Sequence, residues 1–151
     1  MAREERAIFT VLVLLTDPEG RILVEDRVDA SWPGICLPGG HVEKEESFTQ
    51  AAIRETLEET GLLIKEPRLC GVKQFQTKDD ARYVVFFYKA NKYEGTLTSS
   101  EEGEVLWMSR AELQTGKTVT DLDKMLEVFD RDDLSEFQYY RDGKDWGLKL
   151  L

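Results

Sequence analysis

Apolar side chains in the first part of the chain fall into two runs, "AIFTVLVLL" and "RILVEDR", rich in aliphatic and β-branched residues. Between them, Asp17-Pro18-Glu19-Gly20 presets or permits turn dihedrals, so the pattern predicts a β-hairpin. Further strands are predicted in "RLCGVKQFQT", "RYVVFFYKANKY" and "EVLWM", each bounded by Gly, Asp, Asn or charged clusters. Helical periodicity takes over twice. Ser47 to Thr60 reads as one helix, and Val119 to Phe129 as another, with Leu122, Met125, Leu126 and Phe129 at i, i+3, i+4 and i+7. In "EFQYYRDGKDWGLKLL", Asp142-Gly143 separates two aromatic-containing stretches and predicts a terminal hairpin or a packed loop. No repeat, low-complexity tract or linker divides the chain, so one domain over residues 1–151 is expected.

Composition narrows the class. An apolar fraction of 41% is too high for a disordered chain, although 33% of the residues are charged. The net charge of -10 would repel a DNA or RNA polymer. Cys36 and Cys70 form no CxxC pair, so neither a disulfide framework nor a zinc knuckle is indicated and a cytoplasmic, reducing setting is expected. Val11 to Leu15 is too short to span a bilayer, Met1 to Arg6 offers no signal-peptide core, and no membrane partner is expected.

The first helix carries the chemistry. Glu55, Glu58 and Glu59 lie three and four residues apart, on one helical face. Ile53 and Leu57, with Thr49, Thr56 and Thr60 beside them, form an opposite side expected to dock on a sheet. Like charges so close cost a few tenths of a kcal/mol per exposed pair, about what a bound cation would remove. Hard cations such as Mg²⁺ and Mn²⁺ choose such carboxylate oxygens. An acidic run alone is most often a solvated helix face; here the context argues otherwise. Gly39 and Gly40 let backbone approach a ligand or turn sharply, Arg54 can pair with Glu46 across the helix start, and Gly61 is a helix stop signal.

Gly40, Glu46, Arg54, Glu55, Glu58, Glu59, Gly61 and Leu62 match the pattern G-x5-E-x7-R-E-U-x-E-E-x-G-U, where U is a bulky aliphatic residue. The stretch resembles the Nudix box, and only Thr56, at the first U position, departs from it. The resemblance is looser over the strand-turn-strand ahead of "LPGG" and over "EGEVLWM" followed by "SRAEL". It implies an α/β fold, the Nudix α/β/α sandwich with a mixed β-sheet, and metal-dependent hydrolysis of a nucleoside diphosphate linked to another group. By motif position it implies Gly40, Glu55, Glu58 and Glu59 as metal ligands for Mg²⁺, with Mn²⁺ able to substitute, Glu46 and Arg54 orienting the helix, and one glutamate as base. Glu55 is one candidate for that base; "SSEEGEVLW" supplies Glu101, Glu102 and Glu104, with Glu102 best matching similar proteins.

Substrate is harder to read, because loops around the box set it. Phe75 to Asp80 lacks the Pro or Tyr of ADP-ribose and diadenosine polyphosphate cleavers, and the coenzyme A motif is missing. The chain is most similar to MutT-like nucleoside triphosphate diphosphatases of the 8-oxo-dGTP type, which yield a monophosphate and pyrophosphate. On that view Arg27 meets the triphosphate and Trp32, Phe75 or Tyr83 stacks on the base, while His41 is a polar loop residue. A broad-specificity diphosphatase remains the alternative. A non-catalytic nucleotide sensor would lose box glutamates that are kept here, and an isoprenoid diphosphate isomerase would need its own motif around a cysteine, which Cys36 lacks. The expected partner is a small nucleotide, and the resemblance implies a monomer or homodimer.

Overall fold

The computed structural model describes residues 3–151; Met1 and Ala2, the start of the segment read for a signal peptide, lie outside the described residues. In chain order the elements are β1 (Ala7–Leu15), β2 (Ile22–Arg27), β3 (Gly34–Cys36), β4 (Gly39–His41), α1 (Phe48–Thr60), β5 (Leu62–Lys65), β6 (Arg68–Gln76), β7 (Arg82–Ala90), β8 (Lys92–Gly95), β9 (Gly103–Met108), α2 (Arg110–Thr115), α3 (Leu122–Asp130), β10 (Glu136–Asp142) and β11 (Asp145–Leu150). No helix among them is long and apolar enough to cross a membrane.

β1 organises the molecule because it is apolar on both faces. Leu12 and Leu14 enter one core with Ile22, Val24, Phe87, Phe137 and the α3 residues Leu122, Met125 and Phe129. Val11, Val13 and Leu15 point the other way, into a core with Leu23, Ala51, Ala52, Leu62, Ile64 and Val105. Helices therefore cover β1 from both sides, as an α/β/α sandwich requires. The main sheet has the order β11-β10-β6-β7-β1-β4 and is mixed, with β1–β7 and β6–β10 parallel and the remaining pairs antiparallel. Smaller sheets β3-β2-β9 and β5-β8 complete the fold.

One expectation fails here. β1 and β2 are joined by a tight turn, in which Asp17 accepts from the Glu19 and Arg21 amides at 3.0 and 2.8 Å, but they are not a hairpin. Beyond a single bridge, Thr16 with Ile22, they diverge: β1 pairs with β4 and β7, β2 with β3 and β9. A strand buried on both faces has to sit between layers, and its two edges are already taken. The terminal hairpin does form, as β10 and β11 in antiparallel register from Phe137 and Leu150 to Asp142 and Asp145.

Candidate functional site

α1 begins with a capping box, in which the Ser47 hydroxyl accepts from the Gln50 amide and the Gln50 side chain accepts from the Ser47 amide, both at 3.0 Å. It stops at Gly61, whose φ of 77° is the left-handed conformation of a helix cap. The buried side corrects the sequence reading: Ala51, Ala52, Thr56, Glu59 and Thr60 face the sheet, whereas Leu57 is 43% exposed and Ile53 half-buried. Small residues let the helix approach closely, and the Thr56 and Thr60 hydroxyls satisfy themselves on the Ala52 and Thr56 carbonyls. Glu55 and Glu59 thus point inward toward the sheet, while the Glu58 side chain is 58% exposed.

Gly39 and Gly40 form no sharp turn; they lie in β4, opposite Leu12 and Val11 of β1. A Cβ on Gly39 would stand 2.1 Å from the Val11 carbonyl oxygen, and one on Gly40 2.5 Å from the Glu55 carboxylate carbon. Glycine here permits close approach of strand to strand and of strand to carboxylate. The Gly39 amide donates to Glu59 Oε2 at 3.0 Å, which fixes α1 against β4.

Arg54 ties the loop to the helix. Its Nε and Nη2 donate to the two Glu46 oxygens at 2.7 and 2.9 Å, and Nη2 also reaches the His41 carbonyl at 3.0 Å. Nη1 donates to Glu55 at 2.9 Å and Glu58 at 3.2 Å. The bidentate fork suits guanidinium and holds Glu46 below the usual carboxylate range. The His41 side chain is exposed.

Beside this hub three other carboxylates converge: ligand oxygens of Glu25, Glu59 and Glu102 lie within 4.8 Å of one another. Glu25 and Glu59 are 1% and 3% exposed; Glu102 is exposed. Burial, then the Glu102 carboxyl and the Glu25 charge, push Glu59 far above the carboxylate range. Burial raises Glu25, against the effect of its Glu59 hydrogen bond, and burial raises Glu55 against the pull of Arg54. Glu25 Oε1 is buried with no hydrogen-bond partner among the described residues. An orphaned carboxylate oxygen amid two further acidic groups fits a hard divalent cation, which would supply the missing charge. Glu59, Glu25 and Glu102 are the residues able to hold it, with Glu55 and the Gly40 backbone next to them; one oxygen of Glu55 and one of Glu58 accept from Arg54.

A cavity of about 1090 Å³ joins most of these groups to an aromatic region, and Gly40, Glu55, Glu59, Glu102, Arg27, Trp32, Phe75 and Tyr83 all line it, whereas Glu25 stands outside the lining. Phe75 and Tyr83 stack with centroids 5.1 Å apart and planes 10° apart. Arg27 lies over the Trp32 ring at 5.0 Å and donates to the Trp32 carbonyl. Arg54, Glu46, Glu58 and Gly61 stand outside the lining; Glu101 and Glu104 are exposed and outside the carboxylate cluster. Glu25 in the carboxylate cluster, and Lys73, Asp121 and Tyr139 in the cavity lining, were not singled out from the sequence. The acidic residue ending "ILVE" was the one available signal, since it breaks an otherwise apolar run.

The family model described as NUDIX domain matches residues 7–129. The chain belongs to the Nudix family. This Nudix hydrolase is 36% identical over 110 residues to an uncharacterized Nudix hydrolase of Bacillus subtilis, a match spanning 70% of this chain and 67% of that protein. It is 35% identical over 72 residues to an ADP-ribose pyrophosphatase of Methanocaldococcus jannaschii, covering 47% of this chain and 43% of the other. It is 33% identical over 101 residues to an oxidized purine nucleoside triphosphate hydrolase of Danio rerio, covering 64% and 62%. In fold it is similar to a MutT protein of Bacillus halodurans, with a TM-score of 0.74 at 23% identity over 93% of this chain and 97% of that one.

Proposed function

We propose that this Nudix hydrolase converts a nucleoside triphosphate, 8-oxo-dGTP foremost, to the monophosphate and pyrophosphate with Mg²⁺, for which Mn²⁺ can substitute. The observation that carries the reading is the single cavity running from a carboxylate cluster to a stacked aromatic pair, a charged end for phosphates and a flat apolar end for a base. When bound, a hard divalent cation would be held by Glu59 and Glu25, with Glu55 and the Gly40 backbone adjoining, and would neutralise phosphate charge and acidify water. Arg54 and Glu46 keep α1 and β4 in register, and Arg27 meets the triphosphate. Water adds to one of the two phosphorus atoms flanking the α,β bridge, the bridging P–O bond to that phosphorus breaks, and the proton passes to a carboxylate. Glu102 takes that proton, because Glu55 has an oxygen engaged by Arg54 whereas Glu102 lines the cavity with no ion pair among the described residues.

The test measures pyrophosphate and phosphate release from 8-oxo-dGTP, the ordinary dNTPs, ADP-ribose and diadenosine polyphosphates. Pyrophosphate release with 8-oxo-dGTP leading in kcat/KM supports the reading; leadership of ADP-ribose, the substrate named for one relative, overturns the substrate class. Glu102→Gln is expected to lower kcat by about 10²- to 10⁴-fold with little change in KM. An unchanged kcat removes Glu102 from the base role.

A further inference from the structure

Lys73, near the middle of β6, is 8% exposed and lines the cavity, yet its one polar contact is with the Met125 sulfur at 3.9 Å. The rings of Phe75, Phe137 and Tyr139 wall it at 5.9, 5.0 and 5.1 Å, and no carboxylate pairs with it among the described residues. Aromatic faces offset part of the cost of burying an ammonium, but beyond the weak contact to sulfur two of its three hydrogen-bond donors are left to be satisfied. Burial accordingly lowers the lysine pKa from its ordinary value.

Register places this cation relative to the phosphate end. Lys73 lies opposite Val85, Val85 opposite Thr10, and Thr10 opposite His41, which follows Gly40. Three strand spacings separate Lys73 from β4, about 14 Å, roughly the reach from a nucleotide's phosphates to its base. An acceptor opens on the same cavity: Asp121. At the N-cap position of α3 its φ is 60°, a conformation uncommon for a non-glycine residue, and its side chain caps nothing, accepting instead from the Tyr139 hydroxyl. A phosphate on Lys73 would meet the Asp121 charge, so a neutral group with an acceptor beside a donor fits better.

We propose that Lys73 and Asp121 read the edge of the base, selecting rings with a carbonyl beside an N–H, as in guanine, hypoxanthine, uracil and 8-oxopurines, over adenine and cytosine. This rests on the nucleoside triphosphate reading above and names its substrate class. The ammonium donates to the carbonyl and the carboxylate accepts the N–H. An amino base instead sets an amine against the ammonium and a ring-nitrogen lone pair against the carboxylate, leaving both protein groups unpaired.

dITP and dATP differ only at this edge. Wild-type kcat/KM is expected to favour dITP over dATP by about 10- to 100-fold, as the loss of one charge-assisted hydrogen bond predicts. Lys73→Met, which keeps an apolar stem among the rings, should bring the ratio toward one, and Asp121→Asn should lower it also. A wild-type ratio near one, or a ratio preserved in both variants, overturns the proposal. Calorimetric titration with dIMP and dAMP needs no hydrolysis and separates the two readings. If no triphosphate is turned over but dIMP outbinds dAMP in wild type and not in Lys73→Met, the hydrolytic substrate falls and the base reading stands. If the two monophosphates bind equally, the base reading falls whatever the turnover.

Discussion

Gly39 and Gly40 are neighbours with different neighbours of their own, and substitution should separate them. At Gly39 an added Cβ meets the Val11 backbone at 2.1 Å, which cannot yield without moving the sheet, so Gly39→Ala is expected to cost about 1–3 kcal/mol or more in a denaturant titration. At Gly40 the obstacle is the end of the Glu55 side chain, so Gly40→Ala should keep its denaturation midpoint near wild type while kcat/KM falls about 100-fold through displacement of that carboxylate. Glu59→Gln should abolish cation-dependent turnover and raise the melting temperature measured in chelator, because it removes a carboxyl that burial and its neighbours disfavour as an anion. The pairing of Arg54 with Glu46 was legible in the sequence, and helical spacing placed Glu55, Glu58 and Glu59 near one another, but did not show that Glu59 turns inward while Glu58 stays exposed beside Arg54. Glu25 was not legible, because an acid near the end of a strand ordinarily meets water, and here β3 and β9 flank it on both edges. Lys73 escaped notice because cross-strand register brings it to the cavity, and Asp121 because only the packing of α3 against the sheet puts the start of that helix there.

At the level of elements, the long patterned segments were readable and the short ones were not. β6, β7, β9, α1 and α3 emerge from periodicity, whereas β3 and β4 have three residues each and β5 and β8 four, too few to show a period. The orientation of α1 was misread because Ile53 and Leu57 outweigh alanine on any hydrophobicity scale, while close docking selects Ala51 and Ala52. The start of this helix sets the Arg54–Glu46 contact, so Ser47→Ala, which removes half of the capping box, is expected to cost about 0.5–2 kcal/mol by thermal melting.

For the molecule as a whole, the buried acids set how stability depends on pH. Carboxyl pKa values raised in the folded state mean that Glu25, Glu55 and Glu59 retain protons which the unfolded chain releases near 4.5. That contribution is complete below the unfolded value and is lost as pH rises toward the folded one. Glu46, lowered by Arg54, acts oppositely: its contribution is present above the unfolded value and lost in acid. Metal-free protein is therefore expected to melt highest in mild acid, at about pH 5, and lower at each step toward pH 9. Excess Mg²⁺ should flatten that decline and release protons on binding, since a cation takes the protons' place. Melting curves in chelator and in Mg²⁺ at pH 5, 7 and 9 check this; parallel curves would count against cation binding at these acids.

The division of β1 between two cores also bears on how this chain can change length. Because its side chains alternate between the layers, deleting one residue from Val11 to Leu15 would exchange the occupants of both at once and shift β4, with its glycines, out of step with α1. An extra residue in the exposed turn at Pro18 to Gly20 disturbs only the local contacts of Asp17 and leaves the alternation of β1 intact. Insertions and deletions are thus expected in the turns, where the chain can lengthen without disturbing the arrangement of its carboxylates.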